Sequence, residues 1–191
     1  MRERLLDAAG ELLADRDWPR VTMADIARGA GVSRQTVYNE LGSRHELAQA
    51  YVLREADRFL NAAEAAIAEH RDDPRAALTA AFGGFLSAAA DNPLVRAIVA
   101  GDPGSGLLAL VTTRGALLVG AAGARLAAFF VATWPQLSDR DARIAAESTV
   151  RLAISHALLP TAPPERTGAA VAALLAPHLE LLIAEGSAAG R

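Results

Sequence analysis

A short run of polar side chains between residues 34 and 39 is the part of this sequence best suited to specific hydrogen-bonding chemistry. It carries guanidinium, amide and hydroxyl groups on Arg34, Gln35, Thr36, Tyr38 and Asn39. Arginine suits guanine, glutamine and asparagine suit adenine, and a threonine methyl group can contact thymine. On the outer face of a helix, this run has the chemistry needed to read base edges in the major groove of DNA.

Three helix-start signals around this run predict how it is held. Thr22 is followed three residues later by Asp25, Ser33 directly precedes the run, and Ser43 is followed three residues later by Glu46. A side-chain oxygen before a helix accepts hydrogen bonds from free backbone N–H groups, and an acid three residues later accepts one from the capping residue. The sequence therefore predicts one short helix after Thr22, a second after Ser33 and a third that begins at Ser43.

The segment between the first two helices predicts a sharp turn. Gly31 lies there, and a residue without a Cβ takes the left-handed conformation at no steric cost. Ala27 lets the helices approach closely, and an apolar stripe would bury the pair against a neighbour. The stripe consists of Ile26, Val32, Val37 and Leu41. By itself this pattern also fits a solvated helical hairpin inside any all-α protein.

The stretch Thr22–Leu47 resembles the DNA-binding domain of the tetracycline-repressor (TetR) family of bacterial regulators. The resemblance is carried by four segments, which are TMADIA at 22–27, AGVS at 30–33, TVY at 36–38 and GSR at 42–44. As in that family, the stretch follows one amphipathic N-terminal helix and precedes a longer helical remainder. Together with that N-terminal helix, at 1–47, it covers about a quarter of the chain.

The resemblance implies a DNA-contacting set that combines phosphate and base contacts. Its members are Thr22 and Tyr38 on phosphates, Gln35, Thr36 and Asn39 on bases, Arg44 on the DNA backbone from the next helix, and Arg34, whose side chain suits guanine. The chain departs from the family at Glu40 and Leu41, where an aromatic residue or histidine commonly precedes a phenylalanine. Glu40 would repel phosphate unless it points away or pairs with Arg44.

Composition predicts an all-α protein, because alanine dominates and aromatic residues make up only 5% of the 191 residues. The absence of cysteine excludes disulfides, thiol catalysis and cysteine-based metal sites.

The first residues lack the continuous apolar segment of a signal peptide, so we expect a cytoplasmic protein. All nineteen basic residues are arginine and the net charge is −3, so we expect weak non-specific affinity for DNA. Specificity would then come from the base-facing side chains, doubled by dimerisation.

We predict two domains, a three-helix helix-turn-helix domain at 1–47 and a helical effector-binding and dimerisation domain at 48–191. Helical periodicity predicts further helices at about 43–70, 73–90, 92–101, 107–134, 138–159 and 165–185. A loop is expected at 102–106, and disorder from Gly186 onward. The last two helices have wide alanine and leucine faces that resemble the pair with which this family forms a four-helix homodimer interface. Packing of those faces within one subunit is the alternative.

The resemblance also implies a pocket for a small-molecule effector within residues 75–160. Apolar residues that would line it are Phe82, Phe85, Leu86, Leu110, Leu118, Phe129, Phe130 and Trp134. Arg114 and Arg125 would share one face if their helix were continuous. Each would bind a ligand carboxylate, pair with an acid on a neighbouring helix, or lie on an exposed face. His156 is either a ligand contact or a hydrogen-bonded helix residue. We expect a hydrophobic, elongated effector and no cofactor.

Two other classes of protein compete with a regulator bound to a double-stranded DNA operator. The sequence has no phosphate-binding loop, nucleophile elbow or metal-binding spacing of its four histidines, so an enzyme is not expected. A helical carrier of apolar ligands, or a scaffold, would use the apolar segments but not the polar run at 34–39. A membrane span at 107–134 would place an arginine within the bilayer, so a helix wrapped by other helices is expected instead.

Overall fold

The structure is a computed structural model that describes residues 1–101 and 106–189. The described residues form α-helices and one short 3-10 helix (Trp18–Arg20) and contain no strand, which confirms the all-α prediction. The helices are α1 (Arg2–Asp15), α2 (Met23–Gly29), α3 (Arg34–Leu41), α4 (Arg44–Glu69), α5 (Pro74–Asp91), α6 (Pro93–Ala100), α7 (Leu107–Val111), α8 (Ala116–Thr133), α9 (Asp139–Leu158) and α10 (Pro164–Ala189). Most of the predicted loop at 102–106 lies outside the described residues.

The chain divides into two compact units that differ from the predicted domains at 1–47 and 48–191. The first unit contains residues 1–55 and 91–115, and the second contains residues 56–90 and 116–191. The first unit includes α6 because α6 packs on α1. In addition, Asn92 caps α6 and donates from Nδ2 to Glu55 Oε2 of α4 at 2.9 Å. A buried polar contact between α4 and α6 therefore keeps 91–115 with the N-terminal helices.

The first unit has an apolar core to which α1, α2, α3 and the start of α4 all contribute. Leu5, Ile26, Val37 and Leu47, one from each helix, are 0–1% exposed. Burial of side chains of this size contributes about 1.5–3 kcal/mol each. This burial, rather than helix propensity, stabilises helices as short as α2 and α3, because isolated helices of that length are marginal in water.

Two arginines of the first unit join its helices, and one of them, Arg4, does so at the end of a helix. Arg4 donates from Nη2 to the carbonyl of Ala30, the residue that caps the C-terminus of α2, at 2.7 Å. Arg54 on α4 reaches back to α1, where Nη1 is 2.7 Å from Asp7 Oδ1 and Nη2 is 3.0 Å from the carbonyl oxygen of Leu6. The last carbonyl groups of a helix have no partner within the helix, so a cation placed there is stabilising.

The core of the second unit is built by the end of α4 together with α5, α8, α9 and α10. Ile67, Phe130, Ala142 and Ala172 lie at its centre and are almost fully buried. Trp134 closes one end, and its indole N–H donates to the carbonyl of Arg71 at 2.7 Å. Burying a tryptophan whose N–H is satisfied retains the full hydrophobic gain without an unpaired donor.

Close contact between α5 and α10 explains the glycine at position 168. A Cβ at Gly168 of α10 would lie 2.8 Å from the backbone nitrogen of Gly83 and 3.2 Å from the carbonyl oxygen of Thr79. Only a glycine at 168 therefore allows this approach. Helix α5 runs without a break through the glycine pair Gly83–Gly84.

The predicted single helix at 107–134 is wrong, because the chain turns between α7 and α8. Residues 112–115 form this turn, and the hydroxyl of Thr112 donates to the carbonyl of Leu108 at 2.7 Å. A Cβ at Gly115 would lie 3.0 Å from the carbonyl oxygen of Thr112, so glycine permits the tight path. Only four polar or small residues at 112–115 interrupt the apolar sequence, which is about one helical turn, so helical periodicity did not predict the break.

The prediction of disorder from Gly186 is also wrong for the part of the tail that the structure describes. Helix α10 continues to Ala189, and a Cβ at Gly186 would collide with the carbonyl oxygen of Gln136. The end of α10 is therefore packed against the segment between α8 and α9. Residues 190 and 191 lie outside the described residues.

Two helical stretches are long and apolar enough, by composition alone, to cross a membrane. They are Leu107–Thr133 and Pro164–Ala188. Within the most apolar 18 residues of each stretch, the buried share is 39% and 33%, respectively. The first is interrupted at 112–115 and carries Arg114 and Arg125. Both supply residues such as Phe130 and Ala172 to the core of the second unit. Core helices of a helical protein satisfy the same criterion, and the expectation that 107–134 is wrapped by other helices stays a prediction.

We predict that Gly168→Ala destabilises the protein by about 1–3 kcal/mol, because the added methyl group must displace the backbone of α5. Gly84→Ala is the matched control, since a Cβ there meets no atom within 4 Å. That control should stabilise the protein by about 0.5–1 kcal/mol, because alanine favours the helix. Urea unfolding measures both variants, and a Gly168→Ala variant as stable as the wild type would contradict the close contact.

Candidate nucleic-acid interface

Helix α3 turns its polar residues outward because its apolar residues are buried. Val37 and Leu41, one helical turn apart, are 0% and 4% exposed. The remaining surface carries the predicted polar run, in which Thr36 is half-buried and the other members are exposed. Those exposed members are Arg34, Gln35, Tyr38 and Asn39. The structure thus brings these five residues onto one short helix, four of them exposed to solvent.

Both ends of α3 are fixed by local hydrogen bonds and glycine turns. Ser33 Oγ accepts from the backbone N–H of Thr36 at 3.1 Å, which confirms the predicted helix start. Gly31 and Gly42 flank the helix with φ values of 64° and 69°. A Cβ at Gly42 would also collide with the carboxylate of Glu46. These constraints limit α3 to eight residues and fix which of its residues face outward.

The two amide side chains of α3 are hydrogen-bonded to each other. Gln35 donates from Nε2 to Asn39 Oδ1 at 2.8 Å across one helical turn. Arg34 and Tyr38 lie beside this pair on the exposed surface, and the exposed fraction of Tyr38 is 44%. The Thr36 hydroxyl lies 2.9 Å from the hydroxyl of Ser33. Gln35 and Asn39 are therefore oriented relative to each other before any DNA is bound.

Thr22 begins α2 through a complete capping box. Its Oγ1 accepts from the backbone N–H of Asp25 at 3.2 Å, and its own N–H donates to Asp25 Oδ2 at 3.1 Å. Hydrogen bonds from the Thr22 hydroxyl and backbone lower the pKa of Asp25, and Arg28, 3.0 Å away, lowers it further. Thr22 is exposed at the N-terminus of a helix, a position where backbone N–H groups favour anions such as phosphate.

Ser43 and Glu46 form the corresponding box at the start of α4. The Ser43 N–H donates to Glu46 Oε2 at 2.7 Å, and Ser43 Oγ accepts from the Glu46 N–H at 3.2 Å. The hydrogen bond from the Ser43 backbone is the main cause that lowers the pKa of Glu46, followed by that from the Ser43 hydroxyl. All three predicted helix starts around α3 are thus confirmed.

Arg44 is committed to a contact within the protein. Its Nη2 donates to the carbonyl of Trp18, and its guanidinium carbon lies 5.1 Å from the centre of the Trp18 ring. Arg44 is half-buried in this contact, whereas Glu40 is exposed at the end of α3. The pairing of Arg44 with Glu40 that the sequence left open is therefore replaced by a contact with Trp18. A phosphate contact by Arg44 remains a prediction.

The predicted effector-binding residues are distributed over both units. Leu110 and Arg114 belong to the first unit, and the others belong to the second. Phe82, Leu86, Leu118, Phe130 and Trp134 are buried, whereas Phe85, Phe129 and His156 are half-buried. Phe85 packs edge-on against Phe59 of α4, with ring centres 5.2 Å apart. His156 lies in the last turn of α9.

The structure separates the two arginines that were expected to share a helical face. Arg114 is exposed in the turn between α7 and α8, whereas Arg125 lies within α8. The Arg125 Nε donates to Glu64 Oε1 at 2.8 Å, and its Nη2 donates to Glu64 Oε2 at 2.7 Å. The hydrogen bonds to Glu64, aided by Asp57, raise the pKa of Arg125. This geometry favours the ion pair with a neighbouring helix over a ligand carboxylate.

One cleft of the first unit does not involve the residues predicted to bind the effector. It has a volume of about 750 Å³ and is bordered by the end of α1, residues 17–20 and α6. Arg16, Arg20 and Arg96 lie along it together with Asp15 and Asp17. None of the residues predicted to bind the effector borders this cleft.

Comparison with known proteins gives consistent matches along the chain. The family model described as "Bacterial regulatory proteins, tetR family" matches residues 5–51, and that described as "Bacterial Tetracyclin repressor, C-terminal domain" matches residues 73–177. The HTH-type transcriptional regulator AlkX of Mycobacterium tuberculosis is 39% identical over 180 residues, which cover 94% of this chain and 85% of that protein.

Solved structures share the same fold. The TetR family repressor AlkX from Dietzia sp. strain DQ12-45-1b, implicated in biodegradation of n-alkanes, is 35% identical with a TM-score of 0.86, over 95% of this chain and 96% of that one. RolR, solved without ligand, has a TM-score of 0.65 at 18% identity over the same shares of the two chains, which shows a common fold.

We expect the capping carboxylates to make the stability of the helix-turn-helix depend on pH. Because the pKa values of Asp25 and Glu46 are lowered in the folded protein, their stabilisation is fully present above the ordinary carboxyl pKa of about 4. It is lost as the pH falls through the lowered values. The double variant Asp25→Asn/Glu46→Gln should therefore unfold at lower urea than the wild type at neutral pH, and this difference should vanish in acid.

Glu11→Gln, a change at an exposed residue of α1, is the control for the change in net charge. It should leave the urea midpoint close to that of the wild type at each pH. A stability difference for the double variant that is the same at neutral and acid pH would contradict the role given to the two carboxylates.

Proposed function

Since the chain belongs to the tetR family of bacterial regulatory proteins and is a helix-turn-helix transcriptional regulator, we propose that it is a repressor. In this proposal a cytoplasmic homodimer binds a near-palindromic operator and is released by a hydrophobic small molecule. The observation that carries the proposal is the exposed polar face of α3, held outward by the buried Val37 and Leu41. A carrier of apolar ligands without sequence-specific DNA binding would have no use for this face.

In the proposed complex, α3 enters the major groove and its side chains take different roles. Arg34, Gln35 and Asn39 contact bases, because their donors and acceptors match base edges and they are exposed. Thr22 and Tyr38 contact phosphates, since Thr22 is exposed at the start of α2 and Tyr38 is exposed on α3. The half-buried Thr36 contributes its methyl group. Arg44 acts by holding Trp18 beneath the start of α2, and it reaches a phosphate only if that contact opens.

The exposed surface of α10 supports a homodimer. A row of small and apolar residues along α10 is exposed, in which Leu174 and Leu181 are 67% and 52% exposed. The row contains Ala170, Ala173, Leu174, Pro177, Leu181 and Ala184. Ile144 on the adjacent α9 is also 52% exposed. A continuous apolar helix face of this kind is typical of a helix–helix interface between subunits.

The alanine faces predicted for α9 and α10 contain both buried and exposed residues. Ala142, Ala146 and Ala172 are fully buried within the second unit. Ala170 and Ala173, by contrast, are exposed. Thus α9 and α10 use one side for the subunit core, and α10 keeps another side for the proposed partner. A dimer formed on that side would present two copies of α3 to successive turns of the major groove, about 34 Å apart.

The proposed effector is hydrophobic and elongated because the candidate residues offer few free polar groups. The guanidinium of Arg125 is bound by Glu64 and by Asn61 Oδ1 at 2.5 Å, and the indole N–H of Trp134 is bound by the carbonyl of Arg71. The other candidates include the buried Phe82, Leu86 and Leu118. The relative from Dietzia is implicated in biodegradation of n-alkanes, which agrees with an effector that carries a long alkyl chain.

Release from DNA requires that the effector bind one conformation better than another. The ratio of its affinities for the released and the DNA-bound conformations sets how far repression is lifted. Helix α4 contributes residues to both units, from Arg44 beside Trp18 to Glu64 beside Arg125. It is therefore the segment through which a shift in the second unit would reach the helix-turn-helix.

Selection of DNA from a random-sequence pool tests the operator and the dimer together. We expect the wild type to enrich an inverted repeat whose half-sites are centred about one helical turn apart. The Leu174→Arg variant places a charge in the exposed row, so it should elute as a monomer and bind the selected repeat at least about tenfold more weakly, which corresponds to ~1.4 kcal/mol.

Leu117→Arg is the matched control, because Leu117 is a 51% exposed leucine on α8 outside the row. It should remain dimeric and select the same repeat as the wild type. No enrichment by a wild-type protein shown to be dimeric would contradict the proposed operator. A dimeric Leu174→Arg variant that selects the same repeat would contradict the proposed interface.

A series of linear primary alcohols of increasing chain length tests the proposed effector. The measured quantity is the alcohol concentration at which half of a fluorescently labelled operator is released from the protein. Each added methylene should lower the half-release concentration about fourfold, because burying one CH₂ contributes about 0.8 kcal/mol. The trend should stop when the chain exceeds the length of the pocket. Release only by cationic or highly polar compounds would contradict a hydrophobic effector.

A further inference from the structure

The structure assigns Gln35 and Asn39 to a single reading unit, in which the hydrogen bond between them decides which base each residue prefers. This inference rests on the proposed function, since it concerns how α3 would read the operator. Its basis is the 2.8 Å hydrogen bond from Gln35 Nε2 to Asn39 Oδ1, formed between two exposed residues one turn apart. Two amides that read DNA independently would each be free to turn toward a base.

Gln35 keeps the groups that recognise adenine. Its amide has two N–H donors and one carbonyl acceptor, and one N–H is given to Asn39. The remaining N–H and the carbonyl oxygen match N7 and the N6 amino group of adenine in the major groove. Asn39 thus holds the Gln35 amide in place without removing its ability to bind adenine through two hydrogen bonds.

The same hydrogen bond changes which groups Asn39 offers to a base. Its Oδ1 is directed at Gln35 Nε2, so the Nδ2 amino group with two donors is the part of the amide turned away from Gln35, although Oδ1 keeps a second lone pair. An unpaired asparagine turns one donor and its acceptor to adenine, whereas an amide whose oxygen is held toward Gln35 offers a base mainly its donors, which suit N7 and O6 of guanine or O4 of thymine. The pair therefore favours adenine opposite Gln35 and guanine or thymine opposite Asn39, where independent amides would favour adenine at both positions.

Neighbouring side chains leave this pair intact. The Thr36 hydroxyl, which lies between them in sequence, is bound to the Ser33 hydroxyl at 2.9 Å and does not compete. A glutamine–asparagine hydrogen bond at this spacing also stabilises a helix. The pairing restricts the side chains of Gln35 and Asn39 before binding, so less conformational entropy is lost when DNA is bound.

A double-mutant cycle on the operator selected by the wild type tests the coupling. Gln35→Ala, Asn39→Ala and the double variant are compared by their operator affinity, after thermal unfolding has shown that all three fold. If each single change weakens binding by roughly tenfold, independent residues predict roughly a hundredfold loss for the double variant. One reading unit predicts a double loss close to that of either single change.

The Asn39→Asp variant distinguishes the hydrogen bond between Gln35 and Asn39 from the contact that each residue makes with a base. An aspartate retains the acceptor for Gln35 Nε2 but has no donor for a base. On a library that varies the two base pairs, this variant should keep the preference for adenine opposite Gln35 and lose the preference for guanine or thymine at the other position. Gln35→Glu, which removes the donor to Asn39, should change the preference at both positions.

The outcomes distinguish this inference from the proposed function. Selective binding by the wild type, combined with an additive cycle and adenine favoured at both positions, would overturn the reading unit and leave the regulator intact. Absence of any sequence-selective binding by the wild type would overturn both. A coupled cycle in which the Asn39→Asp variant loses only the second preference would support the unit.

Discussion

Burial of Val37 and Leu41 against the core of the first unit is the constraint on which the rest of the account depends. An eight-residue helix is not stable alone in water, and its rotation would otherwise be undefined. Burial of these two side chains contributes about 1.5–3 kcal/mol each and permits one rotation of α3. That rotation exposes Arg34, Gln35 and Asn39 together, so the packing that stabilises the helix also creates the face proposed to read DNA.

Four of the nineteen arginines hold helices of the protein together, and this limits their use in binding DNA. Arg4 holds the end of α2, Arg44 holds Trp18, Arg54 joins α4 to α1, and Arg125 joins α8 to α4. With a net charge of −3, the chain as a whole attracts phosphates weakly, so low non-specific affinity for DNA is expected. Selective binding then depends on base contacts duplicated in a dimer, so the exposed row on α10 matters as much as α3.

Sequence predicted those features that depend on neighbouring residues. The capping pairs Thr22–Asp25 and Ser43–Glu46, the turn at Gly31 and the outward face of α3 follow from spacings of three or four residues. Contacts between distant residues were not predictable. Arg44 and Trp18 are 26 residues apart, and Arg125 and Glu64 are 61 apart. The break at 112–115 within the predicted helix at 107–134 was missed because four polar or small residues are too few to interrupt the helical pattern, and the order of the tail at Gly186 depends on Gln136 of another segment.

The most direct test of the central claim is to replace Arg34, Gln35 and Asn39 together by alanine while Val37 and Leu41 are kept. Alanine favours a helix, so the unfolding midpoint and the oligomeric state should stay as in the wild type. The measured quantity is the ratio of affinities for the selected operator and for random DNA. The account predicts that this ratio falls close to one. A folded variant that retains the selectivity of the wild type would contradict the assignment of α3 as the reading helix.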